Sequence, residues 1–291
     1  MKLALFDDFR LGVLTEDGGY LVDATAALPH HDDDPLTAGW WRGLCRDWRE
    51  LREAIGRLAA TGERLPLDRV RLRAPALNPS KVIAAASNYR EHVAEMHGVQ
   101  ERTLGGVEQW MMDFDVFLKA PSSITDPGAP IVLPRAVIED GREIHHESEL
   151  VIVIGTGGRY IARERAAEHV FGFTTGLDVT VRSPADRSRR KSYDTFSPLG
   201  PWITVNEDGF DADDLDITLT VDGATRQDVN TRDLIVPVND IVAYASTIMT
   251  LNPGDLIFTG APPGVGPIRA GEELVTTISG IGTITNPVVA E

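Results

Sequence analysis

From about residue 80 to the C-terminus, apolar positions fall into short runs broken by Gly and Pro: KVIAAAS, DVFLKAP, PIVLP, ELVIVIG, VFGFTTGLDVTV, GPWITV, DITLTVDG, DLIFTG and ELVTTISGIGTI. So many β-branched runs at such short spacing predict a β-dominated domain of barrel or sandwich type. Helical spacing is confined to a few places. ARERAAEHV (162–170) and VNDIVAYASTIM (238–249) read as helices, the second with Ile241, Ala245 and Ile248 on one face. Residues 1 to about 75 read as a small α/β module: strands KLALF, RLGVLT and YLVDAT, an acidic loop HHDDDP, and a helix around WRELREAIGRLAATG with Leu51, Ile55, Leu58 and Ala59 along one face. The expected organisation is a small N-terminal domain over 1–75 and a main domain over 76–291, α+β in class and dominated by strands.

Composition narrows the function. A chain of 291 residues with 42% hydrophobic content can bury a proper core. It has no apolar run long enough to span a bilayer, and its start, MKLALFDDFRLG, lacks the apolar centre of a signal peptide. The single cysteine, Cys45, excludes an intramolecular disulfide framework and any cysteine-rich zinc site, in keeping with a reducing cytoplasm. A net charge of −16 repels nucleic acid and anionic membranes, so neither is an expected partner. An anionic substrate would need a local positive centre, either a metal ion or a recessed Lys or Arg.

The stretch EIHHESELVIVIG places Glu147 and Glu149 two residues apart at the start of a strand, on one face and about 7 Å apart. Such a pair is commonly a solvated strand edge. If partly buried, it repels itself unless a cation lies between. Asp178, inside the strand-like run FGFTTGLDVTVRS, is a poor strand former and needs a turn, a cap or a ligand role. The three carboxylates together would suit a hard cation of the Mg²⁺, Mn²⁺ or Ca²⁺ type. His145 shares the face of the glutamates and His146 points away; both read as flanking residues rather than ligands.

Three further segments carry candidate chemistry. In SNYREHVAEM, His92 and Glu95 are three apart and meet on a helical turn, either as a surface pair or as a general base oriented by a carboxylate. The following HGVQERTLGGVEQWM has little regular pattern, so residues 88–112 are expected to form a mobile lid. RSPADRSRRKSYDTFSPLGPW is basic in an acidic chain, with Lys191 the first candidate for an anion-binding centre and Arg182 the second. LNPGDLIFTGAPPGVGP ends a strand in a stiffened loop at Thr259 and Gly260 and lacks the G-K-[ST] ending of a nucleotide-binding P-loop. ELVIVIGTGGRYIARERAAEHV imitates a dinucleotide fingerprint, but its third glycine position holds Tyr160.

From about Lys81 onward, KVIAAASNYREHVAEM, DVFLKAPSSI, HHESELVIVIG, GLDVTVRS, KSYDTFSPLGPW and LNPGDLIFTGAPPGVGP occur in the order in which the fumarylacetoacetate hydrolase family carries its motifs, and the sequence resembles that family. The resemblance implies a mixed β-sandwich roll with a small N-terminal domain, usually as a homodimer. It implies Mg²⁺, Mn²⁺ or Ca²⁺ on Glu147, Glu149 and Asp178, the family lysine at Lys191, and the lid dyad of hydrolytic members at His92 and Glu95. It also implies substrate contacts at Arg182, Thr259 and Gly260. Two positions depart from the common pattern, Ala185 where many members have Gln and Ala261 where many have Thr; both are expected near the substrate. The implied activity is metal-dependent hydrolysis of a carbon–carbon bond in an acylpyruvate or related 2,4-diketo acid, a small anionic substrate. The alternatives are isomerisation or decarboxylation of a 2-hydroxy-dienedioate, action on a diketo sugar acid at the same kind of site, or, in another class, a catalytically silent cation-stabilised binding module.

Overall fold

A computed structural model describes residues 1–107, 112–207 and 209–291. Its centre is a twelve-stranded sheet whose main path runs, edge to edge, through Arg64–Pro66, Tyr20–Asp23, Arg10–Leu14, Lys2–Phe6, Ser197–Val205, Val170–Leu177, Ser148–Ile154, Leu256–Phe258, Val82–Ala86 and Asp115–Lys119. Neighbours along this path are antiparallel except Leu256–Phe258 and Val82–Ala86, which run parallel. A five-stranded sheet and a three-stranded sheet complete the β-rich α+β architecture.

The run LVIVI (150–154) is apolar without alternation because both faces of its strand are covered. Val151 and Val153 pack into one core with Trp41, Leu44, Trp48 and Ile55. Leu150, Ile152 and Ile154 pack into the opposite core with Val238, Ile241, Val242 and Ala245. The first core rests on helices Gly39–Arg46 and Trp48–Thr61, the second on helix Val238–Ile248. Each helix turns its apolar stripe to the sheet, as its spacing requires.

The change in pattern near residue 75 coincides with no break in the large sheet. Leu3 pairs with Ile203, and the N-terminal strands and helices share a core with Leu199, Val205 and Phe258. Two helical expectations are altered. Residues Arg163–His169 wind as a 3-10 helix, tied at its end by His169 Nδ1 to the Thr156 carbonyl (2.8 Å) and by the Gly155 N–H to the His169 carbonyl (2.8 Å). The region after Glu95 is more regular than its sequence suggests: one helix runs Arg90–Leu104 and ends at Gly105 in the left-handed conformation (φ 75°) that glycine accepts without strain. Residues 108–111 of the expected lid lie outside the described residues.

Candidate active site

The chain carrying the paired glutamates leaves the three-stranded sheet as Ile144–His146 and joins the large sheet as Ser148–Ile154, so Glu147 sits at the break. Its neighbour is interrupted at the same level. Strand Val170–Leu177 stops before Asp178, and Thr180–Val181 resumes in the three-stranded sheet. Ser148 pairs with Leu177, and the Asp178 N–H donates to the Glu147 carbonyl at 2.8 Å, which fixes the aspartate opposite the glutamates. The Asp in a strand-like run is thus explained by a break in the strand. Glu147, Glu149 and Asp178 are buried, and a carboxylate oxygen from each lies within 4.8 Å of the others.

Cations meet two of the three acids. Lys191 Nζ donates to Glu147 Oε2 at 2.6 Å and also to Asp178 Oδ2. Arg182 Nη2 donates to Glu147 Oε1 at 2.6 Å. Lys119 Nζ donates to Asp178 Oδ1 at 2.6 Å and to the Phe196 carbonyl at 2.9 Å. Burial alone would raise the Glu147 pKa, but Lys191 and Arg182 hold it well below the usual carboxylate range. Glu149 behaves oppositely: burial, then repulsion by Asp178, pushes it well above that range. Its Oε2 accepts from the Gly260 N–H at 2.6 Å, while its buried Oε1 has no hydrogen-bond partner among the described residues. An orphaned oxygen beside two further carboxylates is what a divalent cation would satisfy, and the all-oxygen donor set fits Mg²⁺ or Mn²⁺ better than zinc. Gly260 is required where it stands, because its φ is 106° and a Cβ there would meet Asn88 Cβ at 2.6 Å.

Neither histidine of HHES joins this cluster. His145 Nε2 lies 2.8 Å from Glu143 Oε2, and His146 Nδ1 is 3.4 Å from Gln227 Oε1. Burial is the main cause that lowers each pKa to about 4, which keeps both rings neutral at physiological pH.

His92 lies on helix Arg90–Leu104 and is only 7% exposed, so it is no surface residue. Its Nδ1 is 3.5 Å from Glu95 Oε2, an approach rather than a formed hydrogen bond. The Gly264 N–H donates to Glu95 Oε2 at 3.0 Å. Burial would raise the Glu95 pKa, but His92 and this backbone contact bring it below the usual value. His92 shares a cavity of about 50 Å³ with Glu147, Arg182, Arg187, Arg190 and Lys191. The helix is seated by Met96 and Val99 against Ala261 and Val265, and by Arg102, whose Nη1 and Nη2 hold Glu143 at 2.6 and 3.0 Å.

The remaining expected residues are placed as follows. Arg182 lines the cavity and is engaged with Glu147. Gly260 holds Glu149 through its backbone. The buried Thr259 donates both its N–H and its hydroxyl to the Leu150 carbonyl at 3.0 Å and lies outside the cavity lining. Ala261 lines the cavity, whereas Ala185 lines a neighbouring groove with Val137, Ser183 and Tyr193, a groove that shares Arg190 with the cavity. Sequence reasoning missed Lys119, Arg187 and Arg190. Lys119 had a readable signal, a lysine closing the apolar strand Asp115–Lys119, since a cation buried there requires an anion.

This β-rich fold, with three buried carboxylates ringed by lysine and arginine, defines a protein of the fumarylacetoacetate hydrolase type. The family model for the fumarylacetoacetate (FAA) hydrolase C-terminal region matches residues 81–289, and the chain belongs to that family. It is 37% identical over 287 residues to a maleylpyruvate hydrolase of Aquipseudomonas alcaligenes, covering 98% of both chains. It is also similar to the crystal structure of maleylpyruvate hydrolase from Sphingobium sp. SYK-6 in complex with manganese(II) and pyruvate, with 39% identity, a TM-score of 0.86 and coverage of 100% of this chain and 99% of that one. A mitochondrial oxaloacetate tautomerase of Xenopus laevis is 33% identical, covering 96% of this chain and 86% of the relative.

Proposed function

We propose that the protein hydrolyses a carbon–carbon bond in an acylpyruvate or related 2,4-diketo acid, with a divalent metal held by Glu147, Glu149 and Asp178. The observation that carries this reading is the placement of a buried His92 on the same cavity as Glu147 and Lys191. A base, an ion site and an ammonium group thereby face one small volume. The whole-chain similarity to maleylpyruvate hydrolases supports it.

When bound, the metal supplies Lewis acidity toward the α-keto-carboxylate end of the substrate. The protein's own groups do the rest. His92, oriented by Glu95, takes a proton from water, and the hydroxide adds to the distal carbonyl carbon. The bond between that carbon and the adjacent methylene then breaks, its electrons leaving as the enolate of the keto acid. Lys191 offsets the charge that develops there. The enolate carbon takes up a proton, giving a carboxylic acid and a 2-keto acid. Helix Arg90–Leu104, closed over the cavity, limits the entry of bulk water.

The likeness to an oxaloacetate tautomerase favours keto–enol isomerisation as the second reading, since it needs the same ion site. Incubating the Mn²⁺-loaded enzyme with a panel of acylpyruvates and oxaloacetate, and identifying the products by NMR, separates the two. Equimolar carboxylic acid and 2-keto acid support hydrolysis; tautomer exchange without cleavage overturns it. We further propose a homodimer in a reducing compartment, which the family resemblance and the single buried Cys45 support; sedimentation analysis checks the assembly. No helix among the described residues is long and apolar enough to cross a membrane.

A further inference from the structure

The loop 259–264 touches both halves of the site. Near its start the Gly260 N–H holds Glu149, and at its end the Gly264 N–H holds Glu95, whose carboxylate stands 3.5 Å from His92 Nδ1. Ala261, between them, lines the cavity. A displacement of this loop therefore reaches an ion ligand and the base together. Asn88 Nδ2 pins its first residue, donating to the Thr259 carbonyl at 2.7 Å. The middle cannot pin itself by its own amides: Pro262 and Pro263 have no N–H, and their carbonyls need donors from elsewhere.

Gln227 supplies that donor. It is 1% exposed, on strand Ala224–Asn230 of the five-stranded sheet. Its Nε2 donates to the Pro262 carbonyl at 2.9 Å and to the Pro263 carbonyl at 3.3 Å. The other end of the same amide reaches the ion site: Oε1 accepts at 2.9 Å from the N–H of Ser148, the residue between Glu147 and Glu149. Strand Leu256–Phe258 pairs with Ser148–Ile154 as far as Val151, and the Thr259 N–H carries the ladder on to the Leu150 carbonyl. Ser148 lies two residues further along that edge, where the Gln227 amide takes the place of the departing chain. The register of Ala224–Asn230 slips so that Leu219 faces Gln227 and Thr220 faces Thr225, leaving Arg226 as the extra residue. Its carbonyl lies against Gly264, where φ is 89° and a Cβ would come within 2.0 Å of the Arg226 oxygen. A buried amide used at both ends specifies one arrangement of the groups it joins.

Resting on the reading of His92 and Glu95 as the catalytic pair, we propose that Gln227 is a positioning residue for the reaction. It clamps the loop 259–264 to the chain between the two glutamates, and so fixes where Glu149 stands relative to Glu95 and His92. Gln227 lies outside the cavity lining, so it acts through the loop and not on the substrate. Its loss should displace the base from its near-attack geometry while the cationic groups that face the cavity stay in place, which lowers kcat and spares KM.

The test uses the full-length, Mg²⁺-loaded protein. Amide hydrogen exchange, followed residue by residue by NMR, reads the loop without turnover. In the wild type, Ser148, Gly260 and Gly264 should have protection factors within about tenfold of one another, as parts of one cooperative unit. A loop that exchanges independently of Ser148 overturns the inference, even if no variant folds. Gln227→Met keeps the length of the side chain and loses both ends of the amide. In it, Gly260 and Gly264 should lose protection by about 10- to 100-fold while Ile152, in the large sheet, keeps its own. An unchanged loop, or a loss shared equally by Ile152, overturns the inference. Turnover of an acylpyruvate adds the functional link: kcat of Gln227→Met should fall by about 10- to 100-fold, with KM within about threefold of the wild type. Combined with Glu95→Gln, the loss should be smaller than the product of the two separate losses, because both act on the placement of His92. Losses that multiply in full, or that fall on KM alone, overturn the positioning role. If no acylpyruvate is cleaved, the hydrolase reading fails by itself, and the exchange measurement still decides whether Gln227 holds the loop.

Discussion

Lys119 Nζ lies 2.6 Å from Asp178 Oδ1, with both side chains sealed from solvent. Burial lowers the lysine's pKa and Asp178 opposes that shift. The pair sits at the end of strand Asp115–Lys119 and reaches across to the break after Leu177, linking a strand at the edge of the large sheet to the ion site.

Removing one member of such a pair leaves a buried charge less compensated, which typically costs about 3–5 kcal/mol. Lys119→Met, measured with metal chelated, should lower the urea midpoint by a corresponding amount. An unchanged midpoint would show that Lys191 alone suffices for Asp178.

The ion site has its own prediction. Chelation should abolish turnover, and Mn²⁺ or Mg²⁺ should restore it. Metal at about 100 times its Kd should also raise stability by about 2.7 kcal/mol, seen as a higher melting temperature. Glu149→Gln removes the charge of the one ligand that has no cationic side chain on it, and Mn²⁺ affinity, read by calorimetry, should fall at least about tenfold. Full activity after exhaustive chelation, with no metal found by elemental analysis, would remove the basis for this site.

His92→Ala should lower acylpyruvate cleavage by about 10²- to 10⁴-fold, the usual contribution of a positioned general base. Oxaloacetate tautomerisation or decarboxylation should suffer far less. Glu95→Gln should be milder, since the imidazole remains and only its orientation weakens. Wild-type cleavage rates in His92→Ala would leave the isomerase or decarboxylase reading as the better one.

The buried imidazoles give a pH prediction. His145 and His146 are lowered to about 4 in the folded protein, against about 6.5 in an unfolded chain. Between those values the unfolded chain binds protons that the folded one refuses, so the stability they contribute is full above about pH 6.5 and is lost as the pH falls toward 4. The slope is at most about 1.4 kcal/mol per pH unit for each histidine. Glu149, shifted the other way, works in the opposite direction in the metal-free protein, so the useful quantity is the difference between wild type and His146→Gln. That difference should change across pH 6.5 to 4; parallel curves would exclude His146 as a contributor.

Much of this protein follows from local pattern. The unbroken apolar run after Glu149 announced a strand covered on both faces, the 3.6-residue spacing located helices Trp48–Thr61 and Val238–Ile248, and the E-x-E pair with Asp178 marked the three carboxylates that the fold brings within 4.8 Å of one another. These features depend on neighbours along the chain, where periodicity and residue chemistry are enough. What the sequence could not carry is the pairing of charges between distant segments. Lys119 meets Asp178 across 59 residues, and Lys191 meets Glu147 across 44. Whether His92 was a surface residue or a buried one depended on Met96 and Val99 finding Ala261 and Val265. The placing of Ala261 on the cavity and of Ala185 on a neighbouring groove likewise came only with the tertiary structure. The physical reason is that burial and Coulomb interaction depend on distance through space, and only the folded chain brings these groups within a few ångströms of one another.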